Sequence, residues 1–501
     1  MLSIIVFTFH ILLNFLFGFG VLSLFTKPRI NLETTLGAIL LGLFTETLLS
    51  FFILWLGGDI QISVIVILVL VLGLNVRHFS NLKNISLFKQ PESYFKGPFP
   101  VKWYEAILLL LIAEKIIVIL WQLFRMPTYF SDAIKHWSLT AKAIYSSTNF
   151  SMVPNSYEFL GRDFYAVVGY PLQIPIYRAI QATLNFEWNE FVSRSDGFLF
   201  FLIICGFIGI SFFRFTGKRW MAIGAVYIVA SLPLQVWHAA SGYADIGVEA
   251  FLLAAVYCLI YRKWTLCGVF MAGTIWCKDD GLALYLPGLI LAVLTFQFFS
   301  TDVSWKKRFK NISLFFVGLA TITPWLIFQA MYTNSVLARV LDPLKELFSF
   351  REYDPNDYRV VLTQVGEQFQ NAQPSYELFW EKVFIGSTHG LLWLVVFVAL
   401  ALLSWKMIRD AMGRSLLLFF ISTCVIIFYV FTYTTAYEFL LIETTVHRIL
   451  LQFSAASLMV LGYGISLHDL SLIKRGALES ASEGENSKKQ RKRKKKKRRL
   501  K

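Results

Sequence analysis

Apolar runs long enough to cross a bilayer recur along this chain from its first residues to about position 467. Each is near the ~20 residues that ~30 Å of hydrocarbon demands of an α-helix. They fall at roughly 4–25, 35–57, 60–76, 103–124, 192–213, 220–237, 246–261, 265–277, 282–299, 312–332, 390–405, 415–433 and 446–467. This pattern predicts an all-α polytopic membrane protein of about thirteen transmembrane helices. A single anchor is excluded, and 56% hydrophobic against 16% charged residues excludes a water-soluble globular enzyme. The opening stretch MLSIIVFTFHILLNFLFGFGVLSLF has no basic leader and no small-residue cleavage site, so it reads as a first span that stays attached. Cys205, Cys258, Cys267, Cys277 and Cys424 sit in apolar runs without CxxC spacing, which indicates neither a disulfide framework nor a zinc site.

The net charge of +15 belongs to the end of the chain. Lys488 to Lys501 holds twelve Lys or Arg and no acid, which leaves +3 for the rest and no reason to invoke a nucleic acid. Short basic connections at Lys27/Arg29, Arg77 to Lys102, Arg214/Lys218/Arg219, Arg262/Lys263, Lys306 to Lys310 and Lys406/Arg409/Arg414 all fall on the tail's side when the spans alternate. The positive-inside rule makes that side cytoplasmic, with the N-terminus external and the C-terminus cytoplasmic. The outer side receives the Gly57-Gly58-Asp59 turn, the Ala239 to Asp245 loop, the Lys278-Asp279-Asp280 turn and two long segments, 125–191 and 333–389. Residues 1–100 then form three spans and a cytoplasmic linker, 101–467 a transmembrane core, and 468–501 a disordered basic tail. That tail suits anionic headgroups, at ~1 kcal/mol per basic residue near the surface. No soluble domain exists to carry chemistry, so a reaction belongs in the outer loops. No internal repeat or nucleotide-binding glycine loop speaks for an ATP-driven pump.

In YFSDAIKHWSLTAKAIY, residues Ile134, Trp137, Ala141, Ile144 and Tyr145 share one face of an interfacial helix. Asp132 stands at its start and His136 one turn on. Ser131 or Asp132 acting only as a helix cap is the alternative. GRDFYAVVGYPLQIPIYRAIQATL then supplies Arg162, Asp163 and a Tyr170-Pro171 turn leading into a second interfacial helix. With the outward segments SLPLQVWHAASGYADIGVEAFLLAAVY and GVFMAGTIWCKDDGLALYLPGLI, the chain over about 103–467 resembles the membrane-embedded C-type glycosyltransferases. That superfamily includes protein O-mannosyltransferases and lipid A aminoarabinose transferases, which use polyprenyl-phosphate-linked sugars. The resemblance implies an acid in the first large outer loop, a GYAD-like turn and a Lys-x-x-Gly turn, here Lys278 to Gly281. Two departures stand out. Three spans precede the one leading into the acidic loop, and Asp132 stands alone where many relatives carry an acidic pair, with Asp163 as the candidate second acid.

Moving a sugar from a lipid phosphate to a hydroxyl requires a base for the acceptor's proton, and Asp132 suits that role, with Asp163 as partner. The leaving phosphate needs positive charge rather than a second acid. Lys278 and Arg448, the latter in ETTVHRILLQF, are the candidate phosphate ligands, with snorkelling at the interface as the alternative. His136, Arg162, Tyr170, Asp245, Asp279 and Asp280 are candidate substrate-binding residues. No cofactor is certain, and a divalent metal stays open. The predicted partners are a polyprenyl-phosphate sugar donor, an unidentified acceptor and membrane lipids. A bacterial inner membrane is the expected location and the endoplasmic reticulum the alternative, where Asn149-Phe150-Ser151 would be a glycosylation acceptor. Glu46, the adjacent Glu114-Lys115 and Glu249 lie within spans, where a charge costs ~3 kcal/mol or more unless paired. For Glu114-Lys115 a structural ion pair is the expected account. Such acids also suit a carrier or flippase for a lipid-linked sugar, which is the second reading.

Overall fold

The computed structural model describes residues 2–26, 28, 30–80, 101–128, 130, 132–148, 150, 170–300, 303–332, 377–384, 388–433, 440 and 445–467. These residues are 88% helical and contain no strand. The helices are α1 (Leu2–Phe25), α2 (Leu32–Trp55), α3 (Ile60–Ser80), α4 (Trp103–Arg125), a π-helical segment Ala133–Ser138 running into α5 (Leu139–Ser147), α6 (Gln173–Asn185) and α7 (Glu190–Thr216). The chain continues through α8 (Arg219–Ala230), α9 (Pro233–Ser241), α10 (Asp245–Ile260), α11 (Trp264–Cys277), a second π segment Gly281–Tyr285 entering α12 (Leu286–Phe299), and α13 (Trp305–Leu319). Then follow α14 (Thr323–Tyr332), α15 (Leu392–Arg409), α16 (Ala411–Tyr433) and α17 (Thr445–Ser466).

Among the described residues nine helices are long and apolar enough to cross a membrane, and α8 with α9 would make a tenth. Shorter apolar helices occupy Ile60–Val76 and Trp264–Cys277. The protein is an all-α polytopic membrane protein. The expected single span at 220–237 is broken, with α8 and α9 meeting at 65°. Pro233 is the cause: it has no N–H to donate and holds Leu232 extended, at φ −64°, ψ 124°. By contrast, the expected pair of short helices over 265–299 is present, with Lys278 in an extended conformation between them.

Helix α10 is buried along almost its whole length, as is α17, so neither needs an amphipathic stripe. Helices α1 and α2 pack on each other through small residues. A Cβ at Gly18 would stand 1.9 Å from the carbonyl oxygen of Ala38, and one at Gly42 would stand 1.9 Å from that of Asn14. The α1 and α2 backbones therefore touch, which is the packing that membrane helices use where hydrophobicity offers no drive to associate.

Two of the acids within spans have inward partners. Glu46 Oε1 lies 2.9 Å from His10 Nε2, both fully buried. Glu249 Oε1 accepts from Ser454 Oγ at 2.8 Å and from the Ala455 backbone N–H at 3.1 Å. At the end of the bundle that carries the basic loops, Glu33 accepts from Arg214 at 2.5 Å and Lys263 at 2.6 Å, and Glu105 pairs with Arg219 at 2.5 Å.

Candidate functional site: an ionic cluster at one end of the bundle

At the opposite end, five helix termini meet. Asp132 precedes the first π segment, the first residue of α10 is Asp245, Lys278 follows α11, Asp280 precedes the second π segment, and Arg448 lies in the first turn of α17. A carboxylate at a helix start and an ammonium at a helix end both lie with the local helix dipole, which favours each charge in place.

Arg448 joins two acids. Its Nη1 donates to Asp132 Oδ2 at 2.7 Å, while Nε and Nη2 donate to Asp245 Oδ2 at 3.1 and 2.9 Å. Lys278 Nζ donates to Asp245 Oδ1 at 3.1 Å and stands 2.6 Å from Asp280 Oδ2. Gln452, one turn beyond Arg448, donates to Asp245 Oδ1 at 2.6 Å and Asp280 Oδ2 at 3.0 Å, and its Oε1 lies 2.9 Å from the Tyr285 hydroxyl. The Arg448 guanidinium stacks over Tyr243, 4.4 Å from the ring centroid. The side chain of Asp245 has no exposure, whereas that of Asp132 is 39% exposed. The cluster therefore has a closed acid that anchors the cations and an open acid at its mouth.

His136 and Tyr170 stack at the mouth with centroids 4.2 Å apart. Burial lowers the His136 pKa below its ordinary 6.5; the Asp132 carboxylate opposes this and the Arg448, Lys135 and Lys278 cations add to it. Burial raises the hydroxyl pKa of Tyr170, and that of Tyr243 to about 12. Burial alone would lower Lys278, but the Asp245 and Asp280 carboxylates outweigh it and hold the ammonium charged.

Behind this front stands α6. Arg178 is fully buried and donates to Asp196 of α7 at 2.9 and 3.1 Å, to the Gly242 carbonyl at 2.9 Å and to Ser138 Oγ at 3.3 Å. Gly242, at φ +84°, is the left-handed residue that turns the chain from α9 toward Asp245. Gln173 accepts from Cys277 Sγ at 3.1 Å, next to Lys278. One helix thus fastens the segments carrying Asp132, Asp245 and Lys278. Tyr177, on the same helix, stacks on His10 at 4.7 Å and accepts from Asn14 at 3.3 Å, so residues 1–80 brace α6 from behind.

Several expectations change. Asp132 does not cap its helix: no side-chain cap bond forms and its carboxylate goes to Arg448. Lys278 points inward to Asp245 instead of snorkelling outward. The helix expected to be the second interfacial one, α6, is buried against other helices nearly throughout, its polar side chains meeting partners inside. Asp245, expected to touch substrate, is closed off by Arg448, Lys278 and Gln452. Asp279 lies half-buried in the turn beside Asp280. Arg162 and Asp163 lie outside the described residues, as do 333–376 and the tail. Sequence reasoning passed over Gln452, Tyr243, Tyr285 and Arg178; the i, i+4 spacing of Arg448 and Gln452 was the one available signal. Among the described residues no group of three or more His, Cys, Asp or Glu is arranged to hold a metal ion. Comparison of the chain with models of known families, with curated proteins and with solved structures finds no match.

Proposed function

We propose that this protein is a membrane-embedded glycosyltransferase of the C type, crossing the bilayer thirteen times, that moves a sugar from a polyprenyl-phosphate donor to an acceptor hydroxyl at the extracytoplasmic face. The observation that carries this reading is the shared cluster of one accessible carboxylate, Asp132, with two cations, Lys278 and Arg448, held by the buried Asp245.

The geometry supports one assignment of roles. The acceptor oxygen attacks the anomeric carbon, the bond from that carbon to the phosphate oxygen breaks, and the acceptor's proton passes to Asp132. The lipid phosphate leaves as an anion against Lys278 and Arg448. Asp132 occupies Arg448 Nη1. A donor phosphate competes for that position, and its binding frees the Asp132 carboxylate to act as base. Asp245 fixes the cations, Gln452 holds Asp245 and Asp280 in turn, and the stacked His136 and Tyr170 offer a surface for a sugar ring. An apolar groove of about 510 Å³ between α15, α16 and α17, lined by Trp393, Phe397, Phe420, Phe428, Leu450 and Phe453, suits a prenyl chain. Leu450 and Phe453, which line this groove, belong to the same helix, α17, as Arg448.

The test is turnover by purified protein in nanodiscs of candidate polyprenyl-phosphate sugars, read as release of polyprenyl phosphate. Movement of the intact lipid-linked sugar across vesicles without that release would favour the carrier, the reading to which the buried His10–Glu46 pair lends its weight.

A further inference from the structure

Glu114 and Lys115 are the exception among the charges within spans. They are the twelfth and thirteenth residues of the 23-residue α4, so each lies about 17 Å from the nearer helix end or slightly less, at mid-bilayer depth. Their side chains pair with each other at 2.8 Å, yet remain 49% and 30% exposed. Along α4 only Glu105, Ile119 and Leu123 are buried. Its outer face presents Trp103, Ile107, Leu110, Glu114, Ile117, Trp121 and Phe124. The apolar members of this stripe suit lipid, and their alternating spacing of four and three is what any exposed helix face would show. Glu114 does not suit lipid, because acids at this depth face a protein interior or water.

We infer that the outer face of α4 is a self-association surface, on which a second copy of this chain seats its own α4 about a two-fold axis along the membrane normal. Such an axis keeps every residue at its own depth. Since Glu114 and Lys115 are neighbours, differing in depth by about 1.5 Å, the partner presents Lys115 opposite Glu114 and Glu114 opposite Lys115. The surface is therefore complementary to itself, as an isologous interface requires. Two reciprocal ion pairs replace two lipid-exposed ones, and the flanking Leu110 and Ile117 supply the packing. This holds whether or not the protein transfers sugars.

Single cysteines at Leu110 or Ile117, oxidised in native membranes, should give a disulfide-linked dimer. Leu402→Cys, on the exposed face of α15, should not. In the Ile117→Cys background, Glu114→Lys or Lys115→Glu alone should lower crosslinking about tenfold or more, because like charges then oppose each other. Co-expressed with different tags, these two variants should crosslink to each other at the original level, a rescue that misfolded chains would not show. Absence of the crosslink at Leu110→Cys and Ile117→Cys, capture of a different protein there, indifference to charge reversal, or failure of the mixed pair to recover would each overturn the inference.

Discussion

Asp132 and Asp245 carry the same side chain and bind the same guanidinium, but burial separates their work. Asp245, closed off and saturated with donors, can only hold Arg448 and Lys278 in place. Asp132, open on one side, can exchange Arg448 for a proton. Asp132→Asn should therefore cut transfer by ~10²- to 10⁴-fold, the usual contribution of a general base. The variant should remain folded, since Asp132 caps nothing; single-turnover assays on monodisperse protein check both points. Lys278→Ala and Arg448→Ala should weaken use of the donor, seen in its apparent affinity where the cation binds the ground state and in turnover where it stabilises the leaving group. Unchanged kinetics in both variants would remove them from the mechanism. The pKa of His136 is lowered on folding, so the unfolded chain binds its proton more readily. The stability this confers is complete above pH 6.5 and declines as pH falls through the lowered value. The melting temperature in detergent should accordingly drop on acidification below about pH 6.5, and less steeply for His136→Gln. All of these residues except Gln452, Tyr243, Tyr285 and Arg178 were legible as chemistry in the chain itself. What was not legible was their division into closed and open acids, because burial is a property of neighbours.

Among the elements, α6 shows best why periodicity misleads. QIPIYRAIQATLN mixes apolar positions with Gln, Arg and Thr at a spacing that reads as a half-exposed interfacial helix. In the structure its polar side chains point at other helices: Arg178 at Asp196, Gln181 at Ser195, Gln173 at Cys277. A one-dimensional pattern distinguishes polar from apolar faces but cannot tell water from a buried partner. Arg178→Ala should cost ~3–5 kcal/mol of stability, because it strands the Asp196 carboxylate in the core and frees the Gly242 turn. Thermal melting of the purified variant measures this, and a shift indistinguishable from wild type would show that α6 does not carry the load assigned to it. The N-terminal helices call for a different probe. Gly42→Leu forces a side chain into the Asn14 carbonyl, so α1 must move away from α2. The expected result is loss of protease resistance over residues 1–80 ahead of the rest of the chain, since small-residue contacts are what hold this pair together.

Over the whole molecule, the two ends of the bundle differ as the loop charges imply: Glu33, Arg214, Lys263, Glu105 and Arg219 gather at one, the Asp132–Asp245–Arg448 cluster at the other. Reporter fusions after Lys310 and Lys474 should read cytoplasmic and fusions near Asn155 external. An external reading at Lys474 would reverse the assignment of sides. The amino-acid sequence by itself determined that the chain is helical and crosses a bilayer many times, because run length and loop charge are local quantities that hydrocarbon thickness and the membrane's asymmetry act on directly. It also nominated Asp132, Lys278 and Arg448. Only the tertiary structure decided that these three share one cluster, that Asp245 rather than Asp132 anchors it, that α6 is its buried brace and that the Glu114–Lys115 pair stays part-exposed on the outer face of α4. Each of those facts depends on which helix packs beside which. That is set by side-chain complementarity between segments hundreds of residues apart, and no periodicity within one segment records it.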